Sequence, residues 1–280
     1  MNYRKHFMVT PGSKVKLGKI DPSFSGHHQN REQADAEIEK DRKKLADLQY
    51  LMYAEDKHSL LIVLQALDAG GKDGTVNHVL SAMNPQGCAV AGFKQPTPKE
   101  LAHDFLWRVH PHAPGRGRVT VFNRSHYEDV LVVRVHKLAP KSVWSKRYDM
   151  INDFEATLAS NGTTILKFFL HISKEEQLER FKQRIDDPAR NWKISDSDYT
   201  ERELWDDYTE AFEDALSKCS TEHAPWFVIP ANHKWFRNLA VARIVVETME
   251  GLNMKTPEPT VDLAEIKRRY HADVQEETKG

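Results

Sequence analysis

A short apolar run that leads directly into a glycine-rich segment constrains the fold of this chain more than any other feature. Residues 59–64 (SLLIVL) carry no charge, which is typical of a strand buried on both faces of a parallel sheet. Residues 66–75 follow and include three glycines. Where such a turn joins a strand to a helix, backbone N–H groups converge on one concavity that suits an anion. The segment therefore predicts a phosphate-binding P-loop.

The match to the P-loop pattern is incomplete. Ala66 stands where the first glycine is usual, and Asp73 replaces the hydroxyl residue after Lys72. The residues alone therefore leave open a plain glycine-rich turn. Asp68 favours a phosphate site with a cation, because a carboxylate in such a loop would repel phosphate unless a divalent ion lies between them or the carboxylate orients an attacking oxygen. The loop predicts Mg²⁺ or Mn²⁺, with Asp68 as a ligand and Lys72 on the phosphates. Its predicted substrate contacts are Ala69, Gly70, Gly71, Asp73, Gly74 and Thr75.

Further short apolar runs predict the remaining strands. They lie at 88–93, 119–122, 163–172 and 226–230. The segments between them are long enough for crossover helices, so we expect an α/β fold with a parallel sheet. A capping box at 173–176 predicts a helix from Lys174 to about Ile185, followed by a mobile, charged excursion over 187–200.

The rest of the chain suggests one P-loop phosphotransferase domain over 1–280. Residues 1–30 predict an irregular N-terminal arm, and residues 256–280 a polar tail. Residues 180–200 predict a lid. The arm and the tail are candidate subunit contacts, and we expect a homodimer or homotetramer.

A second group of polar residues follows the 119–122 run, where P-loop enzymes place an acidic residue that holds Mg²⁺. The first of these is the neutral Asn123, so Glu128 or Asp129 becomes the expected charged metal partner. Arg124 suits the transferring phosphoryl group, because its planar guanidinium matches phosphate oxygens. An ordinary solvated helix start is the alternative reading of this segment.

Basic side chains from the 174–185 helix and the excursion after it form a third group, which includes Arg180, Arg184 and Lys193. Such residues often form a solvated helix face. As a lid they would instead close the site and neutralise bound phosphate. With other basic residues they would line a channel for a long anion. The residues predicted near the loop for this purpose are Arg116, Arg118, Arg124, Arg180, Lys182, Arg184 and Lys193.

The composition argues against several classes of protein. The 40 basic and 41 acidic side chains give a net charge of −1, so no overall field would attract nucleic acid or an anionic membrane. The apolar runs are too short to span a bilayer, and no secretory signal is readable. Two cysteines are too few for a disulfide framework. We expect a cytoplasmic protein.

Four separated motifs together resemble the polyphosphate kinase 2 family, over roughly residues 48–252. They are LDAGGKDG at 67–74, FNRSHYED at 122–129, RIDDP at 184–188 with WK at 192–193, and APW at 224–226. The resemblance implies a three-layer, thymidylate-kinase-like P-loop core with a parallel sheet and a helical lid. It also implies reversible, Mg²⁺-dependent phosphoryl transfer between inorganic polyphosphate and nucleotides.

Carried over by motif, the family's catalytic residues correspond to Asp68, Lys72, Arg124 and Arg184. Asp68 would bind Mg²⁺, Lys72 and Arg124 would hold the transferring group, and Arg184 would reach in from the lid. The departure lies at Asn123, where many members have Asp. The group that resembles this chain, class III, pairs Asn with a downstream Glu, here Glu128, and accepts both AMP and ADP, so it forms ATP from AMP in two steps.

Two other functions remain open at this point. An ATP-dependent nucleoside monophosphate kinase would share the core, the metal and the basic lid, although its loop usually has Ser or Thr after the lysine. A nucleotide-binding switch or scaffold would usually carry an N-K-x-D base-reading motif, and the sequence contains none.

Overall fold

The computed structural model describes residues 1–278 and is built on a five-stranded parallel sheet in the order β2-β3-β1-β4-β5. The strands are β1 Ser59–Gln65, β2 Cys88–Gly92, β3 Val119–Asn123, β4 Thr163–His171 and β5 Trp226–Pro230. Each lies where the sequence predicted a strand. The expected α/β class with a parallel sheet is therefore confirmed.

Helices cover both faces of this sheet. In chain order they are α1 Tyr3–Phe7, α2 Arg31–Glu55, α3 Lys72–His78, α4 Pro98–Leu101, α5 Val132–Val135, α6 Lys141–Trp144, α7 Arg147–Ser160, α8 Lys174–Asp186, α9 Asp196–Glu203, α10 Trp205–Cys219, α11 Lys234–Glu250 and α12 Leu263–Glu277. Within residues 1–278, no helix is both long enough and apolar enough to cross a membrane.

The central strand explains the three-layer arrangement. All seven residues of β1 are buried, and successive side chains enter opposite cores because strand side chains alternate in direction. Leu60, Ile62 and Leu64 pack into the core beneath α2 and α11. Leu61 and Val63 pack into the other core, with α7 and α10. A strand buried on both faces needs an unbroken apolar sequence, as 59–64 has.

Strand register positions the candidate site. β1 and β3 are parallel neighbours, and Leu64 pairs with Asn123 at their carboxyl ends. The loop after β1 and the segment after β3 therefore leave the same edge of the sheet. Arg116 and Arg118 come before β3, so they lie at its opposite end, and the Arg118 guanidinium stacks on Tyr53. The prediction that these two arginines lie near the loop is wrong, because a strand separates them from it.

Two segments are more ordered than their sequences suggested. The excursion over 187–200 contains the start of α9, where Ser195 and Asp198 form a capping box. The N-terminal arm is irregular for most of its length, but Tyr3 and Phe7 of α1 are buried against Phe236. Short helices of this kind depend on caps and tertiary contacts, which weak periodicity does not reveal.

Candidate active site

The loop after β1 has the backbone of an anion cradle. Ala69 and Gly71 both have positive φ, 58° and 105°. Gly71 tolerates this conformation because it has no side chain, and a Cβ there would also lie only 1.9 Å from Nη1 of Arg237. Ala69 has a Cβ and is held in the left-handed region nonetheless, a conformation that clusters at functional sites. At Ala69 the loop therefore keeps a backbone conformation that is unfavourable for its residue type.

Lys72 begins α3 and turns its ammonium group back to the loop, where it donates to the carbonyl of Ala66 at 2.9 Å. Burial lowers the pKa of Lys72, and the nearby charge of Arg124 lowers it further. Asp68 partly opposes this effect. The lysine is thus a confined cation next to the cradle.

Arg124 connects the loop to the segment after β3. Its φ of 62° turns the chain sharply, and its N–H donates to the carbonyl of Leu64 on β1 at 3.1 Å. Its guanidinium lies between two carboxylates, 3.1 Å from Asp68 Oδ1 and 3.8 Å from Glu128 Oε2. Although burial opposes it, Glu128 and Asp68 raise the pKa of Arg124. The two predicted metal ligands and the predicted phosphoryl clamp are therefore neighbours.

Glu128 lies deeper than Asp68. Its side chain is 17 % exposed against 31 % for Asp68, and Gln65 Nε2 donates to it at 3.0 Å. Burial raises the pKa of Glu128, while Arg124 opposes the shift. Glu128 lines a small cavity beside the main cleft, together with Asp68, Arg124 and Tyr208. A carboxyl group in this position can change charge at a higher pH than an ordinary glutamate.

Asn123 and Lys193 meet the loop through Asp73. Asn123 Nδ2 donates to Asp73 Oδ1 at 2.8 Å, and Lys193 Nζ lies 3.9 Å from Asp73 Oδ2. The residue that replaces the usual P-loop hydroxyl therefore joins the strand end and the predicted lid to the cradle. This contact gives the departure at Asp73 a structural role.

The predicted lid arginines have different surroundings. Arg180 is buried, and its donors are used by protein groups: Nε by Glu176, Nη1 by the carbonyl of Ala69, and Nη2 by the carbonyls of Ala231 and Asn232. It supports the loop from below instead of covering it. Arg184 is more exposed and donates to the carbonyl of Lys193 at 3.0 Å. Lys182 is exposed and pairs with Asp186, away from the cleft.

Thr75 is the predicted contact that the structure contradicts. It is fully buried, and both its backbone N–H and its hydroxyl donate to the carbonyl of Gly71, at 2.9 and 3.2 Å. Because α3 begins at Lys72, Thr75 already lies inside the first helical turn. Its hydroxyl is therefore not available to substrate.

Apart from Glu128, the remaining predicted site residues surround one open cleft of about 1180 Å³. They are Asp68, Ala69, Gly70, Gly71, Lys72, Asp73, Gly74, Asn123, Arg124, Arg180, Arg184 and Lys193. Eleven Lys and Arg residues and five Asp and Glu residues line this cleft, although the whole chain has a net charge of −1. The cleft is thus strongly basic on a nearly neutral protein, which suits a multiply charged anion.

Sequence reasoning missed several cations of this cleft, among them Arg42, Lys94, Lys234 and Arg237. They come from α2, from the end of β2 and from α11, far from the loop in sequence. None belongs to a phosphate motif, and single basic residues on amphipathic helices look like solvated surface. Only the packing of α11 beside the loop shows that Arg237 faces the cradle.

A buried polar cluster supports the turn that carries Glu128. Lys167 of β4 is fully buried and donates to Glu155, to the Tyr127 hydroxyl at 2.8 Å and to the carbonyl of Cys219 at 2.6 Å. Glu155 also contacts His126 at 3.1 Å and accepts from Tyr127 at 3.0 Å. His126 and Tyr127 immediately precede Glu128, so the cluster fixes the backbone from which that carboxylate extends.

The sequence as a whole matches known proteins. A family model described as Polyphosphate kinase 2 (PPK2) matches residues 28–257. The AMP/ADP-polyphosphate phosphotransferase of Meiothermus ruber is 52 % identical over 256 residues, which cover 91 % of this chain and 96 % of that protein. The ADP-polyphosphate phosphotransferase of Rhodopseudomonas palustris is 48 % identical over 272 residues, with coverage of 91 % and 93 %.

The fold has a similarly close counterpart. The crystal structure of Polyphosphate Kinase 2 from Arthrobacter aurescens TC1 superposes with a TM-score of 0.94 at 41 % sequence identity. The match covers 97 % of both chains. It therefore extends over nearly all of the elements described above.

Proposed function

The chain belongs to the polyphosphate kinase 2 family, and from this premise we propose that its basic cleft transfers phosphoryl groups from inorganic polyphosphate to AMP and ADP, forming ADP and ATP. The observation that carries the proposal is the charge of the cleft, eleven basic against five acidic residues around a P-loop on a chain of net charge −1. A linear polyanion needs such a surface along its length, whereas one nucleotide needs it only at its phosphates.

The chemistry is a displacement at phosphorus. An oxygen of the terminal phosphate of AMP or ADP forms a bond to the last phosphorus of polyphosphate, and the bond from that phosphorus to its bridging oxygen breaks. The shortened polyphosphate keeps the bridging oxygen with its electron pair. Negative charge is spread over the oxygens in flight, so fixed cations nearby lower the barrier. We assign this role to Lys72 and Arg124, with Arg184 joining them when the lid segment moves inward.

The same bond type breaks and forms, since a phosphoanhydride is exchanged for a phosphoanhydride when ADP is the acceptor. The two sides of that reaction are therefore close in free energy. We infer from this that the transfer is reversible, with the direction set by the concentrations of polyphosphate and nucleotides.

The residues present fit a hard divalent cation. Asp68 and Glu128 offer carboxylate oxygens on either side of Arg124, and Asp68 Oδ2 accepts no hydrogen bond from the residues that the structure describes. Such oxygens, with phosphate oxygens, are the ligands that Mg²⁺ and Mn²⁺ prefer. A bound cation would supply positive charge to the phosphate oxygens. We propose that Asp68 and Glu128 hold it.

The acceptor range follows from Asn123 and Glu128. We propose that Glu128 supplies the charge that Asn123 lacks, and that this arrangement serves AMP as well as ADP. Asn123 meanwhile fixes Asp73 through its amide, at 2.8 Å. The proposal also includes one domain over residues 1–280, a homodimer or homotetramer, and a cytoplasmic location.

A donor comparison tests the function. The protein is incubated with Mg²⁺ and AMP or ADP, with either long-chain polyphosphate or ATP as donor, and the nucleotides are separated. We expect ADP and ATP to form with polyphosphate as the sole donor. Product formed only when ATP is the donor would favour a nucleoside monophosphate kinase, and no product with either donor would favour a binding protein.

A further inference from the structure

Arg237 lies in the first turn of α11, beneath the phosphate loop. It is 2 % exposed and lines the main cleft. A Cβ added at Gly71 would lie 1.9 Å from its Nη1, and one at Gly74 would lie 2.9 Å from its Nη2. The two glycines therefore leave room for this guanidinium to lie against the loop backbone.

The hydrogen bonds of Arg237 go to one neutral side chain. Nε and Nη2 donate to Asn238 Oδ1 at 3.1 and 2.7 Å, and Nη1 has no acceptor among residues 1–275, 277 and 278. No carboxylate of these same residues lies within ion-pair distance of it. By contrast, Arg243 on the same helix pairs with Glu37 and Asp41, at 2.9 and 2.7 Å.

A buried cation in this situation is unfavourable. Removal of a charged group from water is strongly unfavourable unless it is paired, and buried polar groups without partners are rare in folded proteins. Arg180 adds a second positive charge close by, since a Cβ at Gly71 would also lie 3.6 Å from Arg180 Nη1. Burial, and then Arg180, lower the pKa of Arg237 to about 9, so it stays charged at neutral pH. An anion in the cleft would therefore stabilise this guanidinium.

We propose that Arg237 is a substrate ligand that binds a phosphate group of polyphosphate next to the one being transferred. This inference rests on the proposed function. We place the group in transfer near Asp68 and Arg124, whose side chains approach to 3.1 Å and also line the small cavity beside the main cleft. The cleft is also lined by Lys234 at the start of α11 and by Arg42 of α2, which offer further cations to a long anion.

The hydrogen bonds of the two buried arginines, Arg180 and Arg237, also indicate different roles. Arg180 donates hydrogen bonds to protein groups and stabilises the conformation of the loop. Arg237 keeps Nη1 free and is immobilised by its packing and by Asn238. A donor that is already oriented loses little freedom when it binds phosphate, so it contributes to affinity efficiently.

The test replaces Arg237→Met, which keeps the length and removes the charge. A charge-assisted hydrogen bond of this kind contributes about 10- to 100-fold in affinity, so we expect KM for polyphosphate to rise by that factor. KM for ADP should stay within about twofold. Because a buried unpaired charge is removed, the Tm without substrate should be unchanged or higher, while the Tm increase produced by polyphosphate alone should shrink.

Two further variants make the result specific. Arg237→Lys keeps a cation and should recover part of the affinity. Arg243→Met, on the same helix but paired with Glu37 and Asp41, should lower the Tm and leave KM for polyphosphate unchanged. If Arg237→Met does not fold, Arg237→Gln is measured in its place, and failure of all three Arg237 variants to fold would assign a structural role and overturn the proposal.

The outcomes separate this inference from the proposed function. A folded Arg237→Met protein with wild-type KM for polyphosphate would overturn the inference while leaving the function intact. A lower Tm together with equal increases in KM for polyphosphate and ADP would also overturn it. Absence of polyphosphate-dependent activity in the wild-type protein would instead remove the proposed function.

Discussion

At the scale of single residues, the cations of this site are held where they could bind phosphate. Lys72 is confined beside the loop by the Ala66 carbonyl, and Arg124 is shared between Asp68 and Glu128. Arg237 has no acidic partner among the side chains that the structure describes. Each of these cations would be stabilised by phosphate. Substitutions that remove these charges should therefore affect activity more than stability.

Lys72→Ala should abolish most of the activity and leave the fold intact. The lysine contacts the loop through one carbonyl, and burial lowers its pKa, so its loss should change the free energy of unfolding by no more than about 1 kcal/mol. The loss of a fixed cation at the transferring group should lower kcat at least about 100-fold. Turnover assays and urea denaturation measure the two effects, and a stable variant with undiminished turnover would refute the assignment.

Glu128→Ala should impair AMP use more than ADP use, if Glu128 compensates for the neutral Asn123. The pH dependence adds a second check. Burial raises the pKa of Glu128, so its charge is present above the raised pKa and is lost as the pH falls through it. The rate with AMP should therefore decline at a higher pH than the rate with ADP. Equal losses with both acceptors would make Glu128 a general metal or packing residue.

At the scale of elements, the site depends on the edge where β1 and β3 end and on the buried cluster behind it. Lys167 and Glu155 are both fully buried and joined to Tyr127 and His126. An ion pair of this kind fixes one arrangement of its surroundings, because either charge alone would be unfavourable there. The turn carrying Glu128 is thus positioned from the core of the sheet.

Lys167→Met should lower the free energy of unfolding by about 3 to 5 kcal/mol, since it leaves Glu155 charged and unpaired in the core. The double variant with Glu155→Gln should be less destabilised than this single variant, because the uncompensated charge is gone. Chemical denaturation of the single and double variants provides the comparison. A single variant that loses less than about 1 kcal/mol would show that the pair does not support the turn.

The elements also show what sequence can and cannot predict. Strong local patterns sufficed for β1, with its seven buried residues, and for the start of α8, where the Ser173 side chain accepts from the Glu176 N–H. The reciprocal half of the predicted capping box is absent, because the Ser173 N–H donates to Asn232 instead of to Glu176. The order within α9 was missed, because its stability comes from a short cap and tertiary contacts. The positions of the site residues depend on strand register. Arg124 contacts Asp68 because β1 pairs with β3, whereas Arg118 lies at the opposite end of β3. The spacing of these residues along the chain predicts neither position.

At the scale of the whole molecule, charge is unevenly distributed. The chain is nearly neutral, while the cleft has six more basic than acidic residues. A local field of this kind favours a polyanion at the site without general binding of nucleic acid. The missed cations on α2 and α11 contribute to it because these helices pack side by side on one face of the sheet.

The C-terminal helix is relevant to the expected oligomer. Four apolar residues recur along α12 and are each more than 40 % exposed: Leu263, Ile266, Tyr270 and Val274. Exposed apolar stripes of this kind mark contact surfaces. Light scattering after chromatography should give the mass of a dimer or tetramer for the wild-type protein. Replacement of Ile266 and Tyr270 by Ser should reduce that mass, and an unchanged mass would place the subunit contact elsewhere.

Isotope transfer tests the central claim most directly. Polyphosphate labelled with ³²P is incubated with unlabelled AMP, Mg²⁺ and the wild-type protein, with Lys72→Ala as the control, and the nucleotides are separated over time. We expect label to enter ADP first, then ATP at its two outer phosphates, and to enter neither nucleotide with the control. Nucleotides that stay unlabelled while polyphosphate remains intact would contradict it.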